Sequence, residues 1–344
     1  MKYNRLGKSG LYVSELCLGT MTYGGKGFWE VIGKLGLDAV AGQLRTAIDA
    51  GINFIDTANV YHEGESEKLV GAAIKKLEIP RDKLVIATKV HGRMGTDVNG
   101  VGLSRKHIFD QIDQSLSRLQ LDYVDLYQTH GIDPLTPLEE TVDALDRLVQ
   151  IGKVRYVGFC NMPAWRAHKA LSIADRTGKA RFISAQMFYA IAARDIEREI
   201  VPLALEEGLG IMPWSPLAGG LLSGKFSADA KGPADARRAQ FDFPIVDKPR
   251  AFACVDAMRP IASEHGASVP QIALAYLLAK PGIASVIIGA RTDEQLADNL
   301  GATKIKLSAA QLEALDKVSA LPPEYPGWMV QSQNRNRLIE GQQS

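Results

Sequence analysis

Four residues able to carry charge or exchange protons sit at or just past short apolar runs. Asp56 follows Asn53-Phe54-Ile55, Tyr61 comes five residues later, Lys89 ends LVIATK and His130 ends DLYQTH. A carboxylate, a phenol, an ammonium and an imidazole are the parts of a general acid–base centre. A free phenol has a pKa of about 10, too weak an acid at neutral pH unless a neighbouring cation stabilises the phenolate. Asn161, Gln186 and Trp214-Ser215 stand at the ends of three further runs. Taken singly, each has a structural explanation: Asp56 as a turn cap, Lys89 as a rim charge, Tyr61 as a packed ring, His130 as a satisfied core histidine. Taken together they are harder to set aside, because a buried unpaired Lys or Asp costs several kcal/mol. Such groups persist when paired with one another or used for chemistry.

Other chemistries fit the sequence less well. Gly219-Gly220-Leu221-Leu222-Ser223-Gly224-Lys225 matches the first seven positions of a nucleoside-triphosphate P-loop. Phe226, however, stands where Ser or Thr must supply a magnesium ligand, and the match begins beyond the end of its strand. Those glycines and Lys225 still suit a pyrophosphate. There is no G-x-S-x-G elbow, H-E-x-x-H helix or C-x-x-C pair. His62, His91, His107, His130, His168 and His265 show no ligand spacing, so no metal site is expected. Cys17, Cys160 and Cys254 are odd in number and widely spread, giving neither a disulfide framework nor a metal cluster.

The elements that must position these residues are legible in the pattern. Apolar, β-branched runs at 16–18, 53–55, 83–88, 124–127, 154–158, 183–185, 209–212 and 285–288 predict strands, mostly continuous in apolar character as in a parallel sheet covered on both faces. Helical stripes alternate with them: Leu69, Val70, Ala73, Ile74 and Leu77, then Ile108, Ile112, Leu116 and Leu119. A third, Leu138, Val142, Leu145 and Leu148, opens with Thr136-Pro137-Leu138-Glu139, which reads as a capping box, and stops near Gly152. Eight strands alternating with helices predict an α/β fold, a closed (β/α)8 TIM barrel. An open doubly wound sheet usually carries a Gly-rich fingerprint after its first strand, and none is present. Residues 4–13, with a Gly-Lys-Ser-Gly turn, predict an N-terminal β-hairpin plugging the barrel bottom. An insertion at 26–37, a long loop at 216–246 after the seventh strand and an aperiodic tail after Leu321 fall outside the repeat.

Composition agrees with a globular enzyme or binding protein. The 344 residues are 46% hydrophobic, enough for a sizeable core. Forty basic residues against 39 acidic, without charge blocks, give no sign of capture of nucleic acid or an anionic membrane. No run of about 18 apolar residues is present to span a bilayer, and the opening MKYNRLGKSG lacks the apolar stretch of a signal peptide. The expectation is a cytoplasmic protein, monomeric or a weak homo-oligomer.

The segments LCLGTMTYG (16–24), GINFIDTANVY (51–61), LVIATKV (84–90), DYVDLYQTH (122–130), VGFCN (157–161), PWSPLAGGLLSGK (213–225) and VIIGARTDEQLADNL (286–300), with Gln186, resemble the aldo-keto reductases in family order. The likeness is to bacterial members related to the potassium-channel β-subunit-like branch. It implies one barrel domain over 1–344, with its core at about 3–321 and a tail at 322–344, binding NADP(H) without a Rossmann fold. It implies that Asp56, Tyr61, Lys89 and His130 are the catalytic tetrad reducing a small-molecule carbonyl substrate. Asn161 and Gln186 would hold the nicotinamide carboxamide, with Cys160 beside them, and Trp214 would stack on the ring. Gly19, Thr20, Met21 and Asp56 would lie by the nicotinamide ribose. Ser215, Pro216, Leu217, Gly219 and Lys225 would follow the pyrophosphate. Ile288 and Gly289 would border the adenylate end, where Arg291 clamps the 2′-phosphate and Gln295 and Asn299 reach adenine.

Two departures bear on that reading. Cys160 stands where many members have Ser, losing a hydroxyl donor before Asn161, and the insertion at 26–37 is longer than in many members. Tyr23, Trp29, His62 and Trp328 are candidate substrate-pocket residues by position. Aromatic residues in the mouth loops suit a hydrophobic substrate, such as the keto form of a terpenoid or mycotoxin. A regulatory, β-subunit-like protein is the alternative; such relatives often carry Asn at the position of His130.

Overall fold

The computed structural model describes residues 1–227, 232 and 237–334. Strands β1 (Tyr3–Arg5) and β2 (Tyr12–Ser14) form an antiparallel hairpin with Asn4 opposite Val13. Eight parallel strands follow: β3 (Leu16–Gly19), β4 (Phe54–Asp56), β5 (Val85–Val90), β6 (Val124–Thr129), β7 (Val154–Cys160), β8 (Phe182–Phe188), β9 (Gly210–Trp214) and β10 (Val286–Ile288). They pair in the order β10-β3-β4-β5-β6-β7-β8-β9, and a parallel bridge between Ile211 and Ile283 joins the two edges. The sheet is therefore a barrel, which leaves no exposed edge to pair with another chain.

Helices α1 (Leu37–Asp49), α2 (Glu65–Lys76), α3 (Arg105–Leu119), α4 (Leu138–Gln150), α5 (Ala164–Thr177) and α6 (Ile200–Glu207) follow β3 to β8 in turn. After β9 come α7 (Arg237–Gln240), α8 (Lys248–His265) and α9 (Val269–Leu278); after β10 come α10 (Asp293–Gly301), α11 (Ala309–Val318) and α12 (Gly327–Asn334). The architecture is the (β/α)8 TIM barrel that the alternation predicts. The predicted helical stripes face the sheet: Ile108, Ile112, Leu116 and Leu119 of α3, and Leu138, Val142, Leu145 and Leu148 of α4, are all buried. Each such side chain contributes roughly 1.5–3 kcal/mol relative to exposure.

Because strand side chains alternate, each barrel strand sends every second residue inward. Cys17, Phe54, Val85, Ala87, Leu126, Met212 and Ile287 form the lower, apolar layer, sealed below by Leu6 and Val13 of the hairpin. Two residues further along the same strands come Asp56, Lys89, Gln128 and Trp214, the polar upper layer. At Gly7 (φ 65°) an added Cβ would lie 2.4 Å from the carbonyl oxygen of Gly208, so only glycine lets the plug seat against the barrel.

Two expectations need correction. The capping box does not form: Thr136 Oγ1 donates to Asp133 Oδ2 at 2.7 Å, and α4 begins after Pro137 without a side-chain cap. The Asp133 carboxylate also accepts the backbone N–H groups of Leu103, Leu135 and Thr136, and a charged acceptor outcompetes the helix terminus for the hydroxyl. The tail contains a helix, α12, and the part of it beyond Asn334 lies outside the described residues. The long loop at 216–246 after the seventh barrel strand carries a 3-10 turn (Ala218–Ser223) and α7; residues 228–231 and 233–236 are outside the description.

Candidate active site

Asp56, Tyr61, Lys89 and His130 meet at the C-terminal mouth of the barrel. Lys89 Nζ lies 2.5 Å from Asp56 Oδ2, 2.7 Å from the carbonyl oxygen of Thr57 and 3.3 Å from the Tyr61 hydroxyl. Three acceptors for three ammonium protons leave the cation satisfied although it is fully buried. Asp56 Oδ1 accepts from Gln186 Nε2 at 2.9 Å and Gln128 Nε2 at 3.2 Å, so the carboxylate is held from across the barrel. The His130 ring stands edge-on to Tyr61, with centroids 5.6 Å apart.

The electrostatics are set by burial and by this one ion pair. Burial works against the Lys89 charge, but Asp56 and the Tyr61 phenol outweigh it and hold the ammonium above its usual range. Burial pushes the Tyr61 phenol up; Lys89 pulls it back without fully cancelling the rise. Lys89 therefore acts on the phenol in the expected direction, against a larger effect of burial, and the hydroxyl stays protonated at neutral pH. Burial, then Lys89, then His91 lower His130 well below the ordinary imidazole value, so it is neutral there.

His62 and His107 are also lowered, in each case chiefly by burial. All three histidines bind protons more weakly folded than unfolded, so this part of the stability is complete above the unfolded imidazole pKa of about 6.5 and is lost as pH falls towards the folded values. Thermal unfolding should accordingly come at lower temperature at pH 5.5 than at pH 7.5. Equal midpoints would contradict the burial of these neutral rings.

Backbone strain gathers at the same rim. Five of the seven described non-glycine residues with positive φ are His62, Glu63, Asn161, Ser215 and Ala218, all in connections after β4, β7 and β9. Left-handed backbone costs an L-residue roughly 1–2 kcal/mol, and such strain tends to collect where geometry serves a site. At Asn161, which is exposed at the rim, it lets the amide bridge two strand ends: Oδ1 accepts from Trp214 Nε1 at 2.9 Å and Nδ2 donates to the His130 carbonyl at 3.1 Å. One amide hydrogen and one lone pair remain for a ligand. Thr20 N donates to the Asp56 carbonyl at 3.0 Å, and the Thr20 and Ser66 hydroxyls bond each other at 2.9 Å. At the far end of the mouth, Arg291 N donates to Gln295 Oε1 and Asn299 Nδ2 to the Gly289 carbonyl.

A sequence model of the Aldo/keto reductase family matches residues 15–320. The chain belongs to the aldo/keto reductase family. Among its relatives, versiconal hemiacetal acetate reductase of Aspergillus parasiticus is 34% identical, covering 95% of this chain and 99% of that protein. A probable voltage-gated potassium channel subunit beta of Oryza sativa subsp. japonica is 36% identical over 95% of this chain and 98% of its own length. A putative aryl-alcohol dehydrogenase of Schizosaccharomyces pombe is 35% identical over 92% and 95%. Aldo/keto reductase membership makes the chain an oxidoreductase, with carbonyl reduction of small molecules and a nicotinamide cofactor as the family's chemistry.

The remaining candidate residues of this aldo/keto reductase separate into those at the mouth and those away from it. Trp29 is at the mouth, its ring edge-on to Tyr61 at 5.5 Å. His62 is fully buried behind Trp29. Tyr23 packs in the core between barrel and helices, where burial and Asp293 push its phenol up. Trp328 is half exposed on α12 and touches the Tyr325 ring, not the rings around Tyr61. Cys160 is buried at the end of β7, and burial pushes its thiol up. Lys225 is exposed. Among the described residues no helix is long and apolar enough to cross a membrane, and no group of three or more His, Cys, Asp or Glu is placed to hold a metal ion.

Two residues escaped the sequence reading. Gln128 grips Asp56, and its place two before His130, on the same strand face, was the signal for it. Arg237 on α7 is half-buried with its Nε unpartnered. Burial and the neighbouring Arg238 and Arg291 lower its guanidinium to about 10. Nothing in the local sequence distinguishes Arg237 from Arg238, which is committed to the Ala218 carbonyl and to Asp242.

Proposed function

We propose that the chain is an NADPH-dependent reductase that converts an aldehyde or ketone to the alcohol, reversibly, with Tyr61 as proton donor. The observation that carries this reading is the unbroken run from Asp56 through Lys89 to the Tyr61 hydroxyl, with neutral His130 beside it. Asp56 keeps Lys89 charged and aimed, Lys89 stabilises the phenolate as the proton leaves Tyr61, and His130 donates a hydrogen bond to the carbonyl oxygen.

The mouth fits an anionic dinucleotide. A half-buried guanidinium at Arg237 has an orphaned Nε beside two further arginines, and Asn161 keeps one N–H and one lone pair, the complement of a carboxamide. When bound, such a group supplies the hydride to the carbonyl carbon. Asn161 and Gln186 are assigned to its carboxamide, Trp214 to its nicotinamide face, and Thr20 and Met21 to the adjoining ribose. Ser215, Leu217, Gly219 and Lys225 are assigned to the pyrophosphate, Arg291 to the 2′-phosphate, and Gln295 and Asn299 to adenine.

For the substrate, a run of aromatic rings favours an apolar, flat or bulky carbonyl compound. From Tyr61 it passes to Trp29, then Phe28 at 5.9 Å, Phe241 at 5.1 Å, Phe243 at 5.4 Å and Trp214 at 5.9 Å. Two relatives carry names of the same kind, a hemiacetal acetate reductase and an aryl-alcohol dehydrogenase. Activity confined to short polar aldehydes would rule out this assignment.

The test is NADPH oxidation followed by absorbance with a reactive dicarbonyl or a quinone. Turnover supports the reductase. Tight NADPH binding with no oxidation of any carbonyl tried favours the second reading, a cofactor-binding regulatory protein, which the likeness to a plant channel β-subunit brings in. Arg291→Ala is expected to weaken NADPH and narrow its advantage over NADH, because a planar guanidinium is lost from the 2′-phosphate. If neither cofactor's affinity moves, the 2′-phosphate lies elsewhere.

A further inference from the structure

The residue after Tyr61 is placed in an unusual way. His62 (φ 49°, ψ 38°) and Glu63 (φ 57°, ψ 38°) are both left-handed, and Gly64 follows at φ 88°. Two successive L-residues in this conformation do not persist without something to hold them. The His62 ring is fully buried and used on both edges. Its Nε2–H donates to the Met21 carbonyl at 2.9 Å, and its Nδ1 accepts the Lys26 N–H at 3.4 Å. Those partners flank the start of the 26–37 insertion. Gly24, between them, lies so close that an added Cβ would come within 2.7 Å of the imidazole Cγ. On its other side the ring meets Trp29, centroids 5.9 Å apart, the indole that also stands against Tyr61.

We propose that His62 is a positioning residue: it fastens the left-handed turn carrying Tyr61 to the Met21–Lys26 backbone and so fixes the phenol between Lys89 and Trp29. The inference rests on Tyr61 being the proton donor. His62 does not touch Lys89; it acts through Tyr61, which it follows, and through the Trp29 indole that stands against that phenol. Its neutral form alone serves, since one edge must donate and the other accept. Gln places a donor and an acceptor on one planar group in the same way, whereas Leu fills the space with neither.

The experiment measures steady-state and single-turnover reduction for wild type, His62→Leu, His62→Gln, Tyr61→Phe and the double variant His62→Leu/Tyr61→Phe. A displaced phenol is expected to lower kcat by about 10- to 100-fold in His62→Leu, with the carbonyl KM and the NADPH Kd near wild type. His62→Gln should recover most of the loss. In the Tyr61→Phe background, His62→Leu should change the rate no further, because the group it positions is gone. The same fold loss in both backgrounds would overturn the proposal, since a general structural defect acts whether or not the hydroxyl is present. So would wild-type kcat in His62→Leu. Full turnover in Tyr61→Phe alone would instead sink the proton-donor reading, and the positioning role with it. Should His62→Leu fail to fold, His62→Asn takes its place in the cycle with the same deciding outcomes.

Discussion

Tyr61→Phe is expected to lower turnover by about 10²-fold or more, the span that a positioned general acid supplies, while NADPH binds as before. The change removes one oxygen and little else. The ring keeps its edge contacts with Trp29 and His130, and the Lys89 ammonium remains 4.8 Å from the ring centroid. Lys89 loses one acceptor but retains Asp56 and the Thr57 carbonyl, so the buried charge stays paired. The fold and the cofactor end of the mouth should therefore be untouched, and the loss should fall on the chemical step. Single-turnover absorbance with NADPH and a dicarbonyl, beside NADPH titration by fluorescence, separates the two. Equal rates for wild type and variant would move the proton donor to another residue.

Lys89→Met should damage both stability and rate, for separable reasons. Without the ammonium, Asp56 is left fully enclosed with only the Gln128 and Gln186 amides. Breaking a buried pair by removing one partner costs about 3–5 kcal/mol, read as a lower urea midpoint at an unchanged slope. The rate falls because the phenol loses the cation that offsets its burial. Adding Asp56→Asn removes the orphaned charge, so the double variant should regain much of the stability and none of the turnover. Recovery of turnover along with stability would mean that Lys89 serves the fold alone.

How much of this was legible in the sequence depends on the range of the force at work. The strands could be read because both faces of a parallel sheet are buried and the chain must be apolar throughout. The convergence of Asp56, Lys89 and His130 followed from where those strands end. Gln128 is equally readable by the period of two. Elsewhere a local rule lost to a distant competitor. Thr136 has the spacing of a capping box, yet its hydroxyl goes to Asp133, whose carboxylate also gathers the N–H of Leu103 from another connection. Tyr23 follows a strand end like its neighbours, but the chain turns it into the helix layer. Arg237 and the left-handed pair at His62 and Glu63 depend on how loops fold over the rim, which no periodicity records.

The hairpin below the barrel has a consequence for traffic. With Leu6 and Val13 filling the floor, the chamber is a blind vessel with one door. Whatever lies deepest must be loaded first and unloaded last. In the arrangement proposed above, a carbonyl compound resting over the dinucleotide and against Trp29 would block its path, so arrivals and departures would run in stacking order. On the proposed role of Tyr61, the proton it gives up would come back through that same door, because Lys89, Asp56 and the apolar layer beneath them fill the way from below.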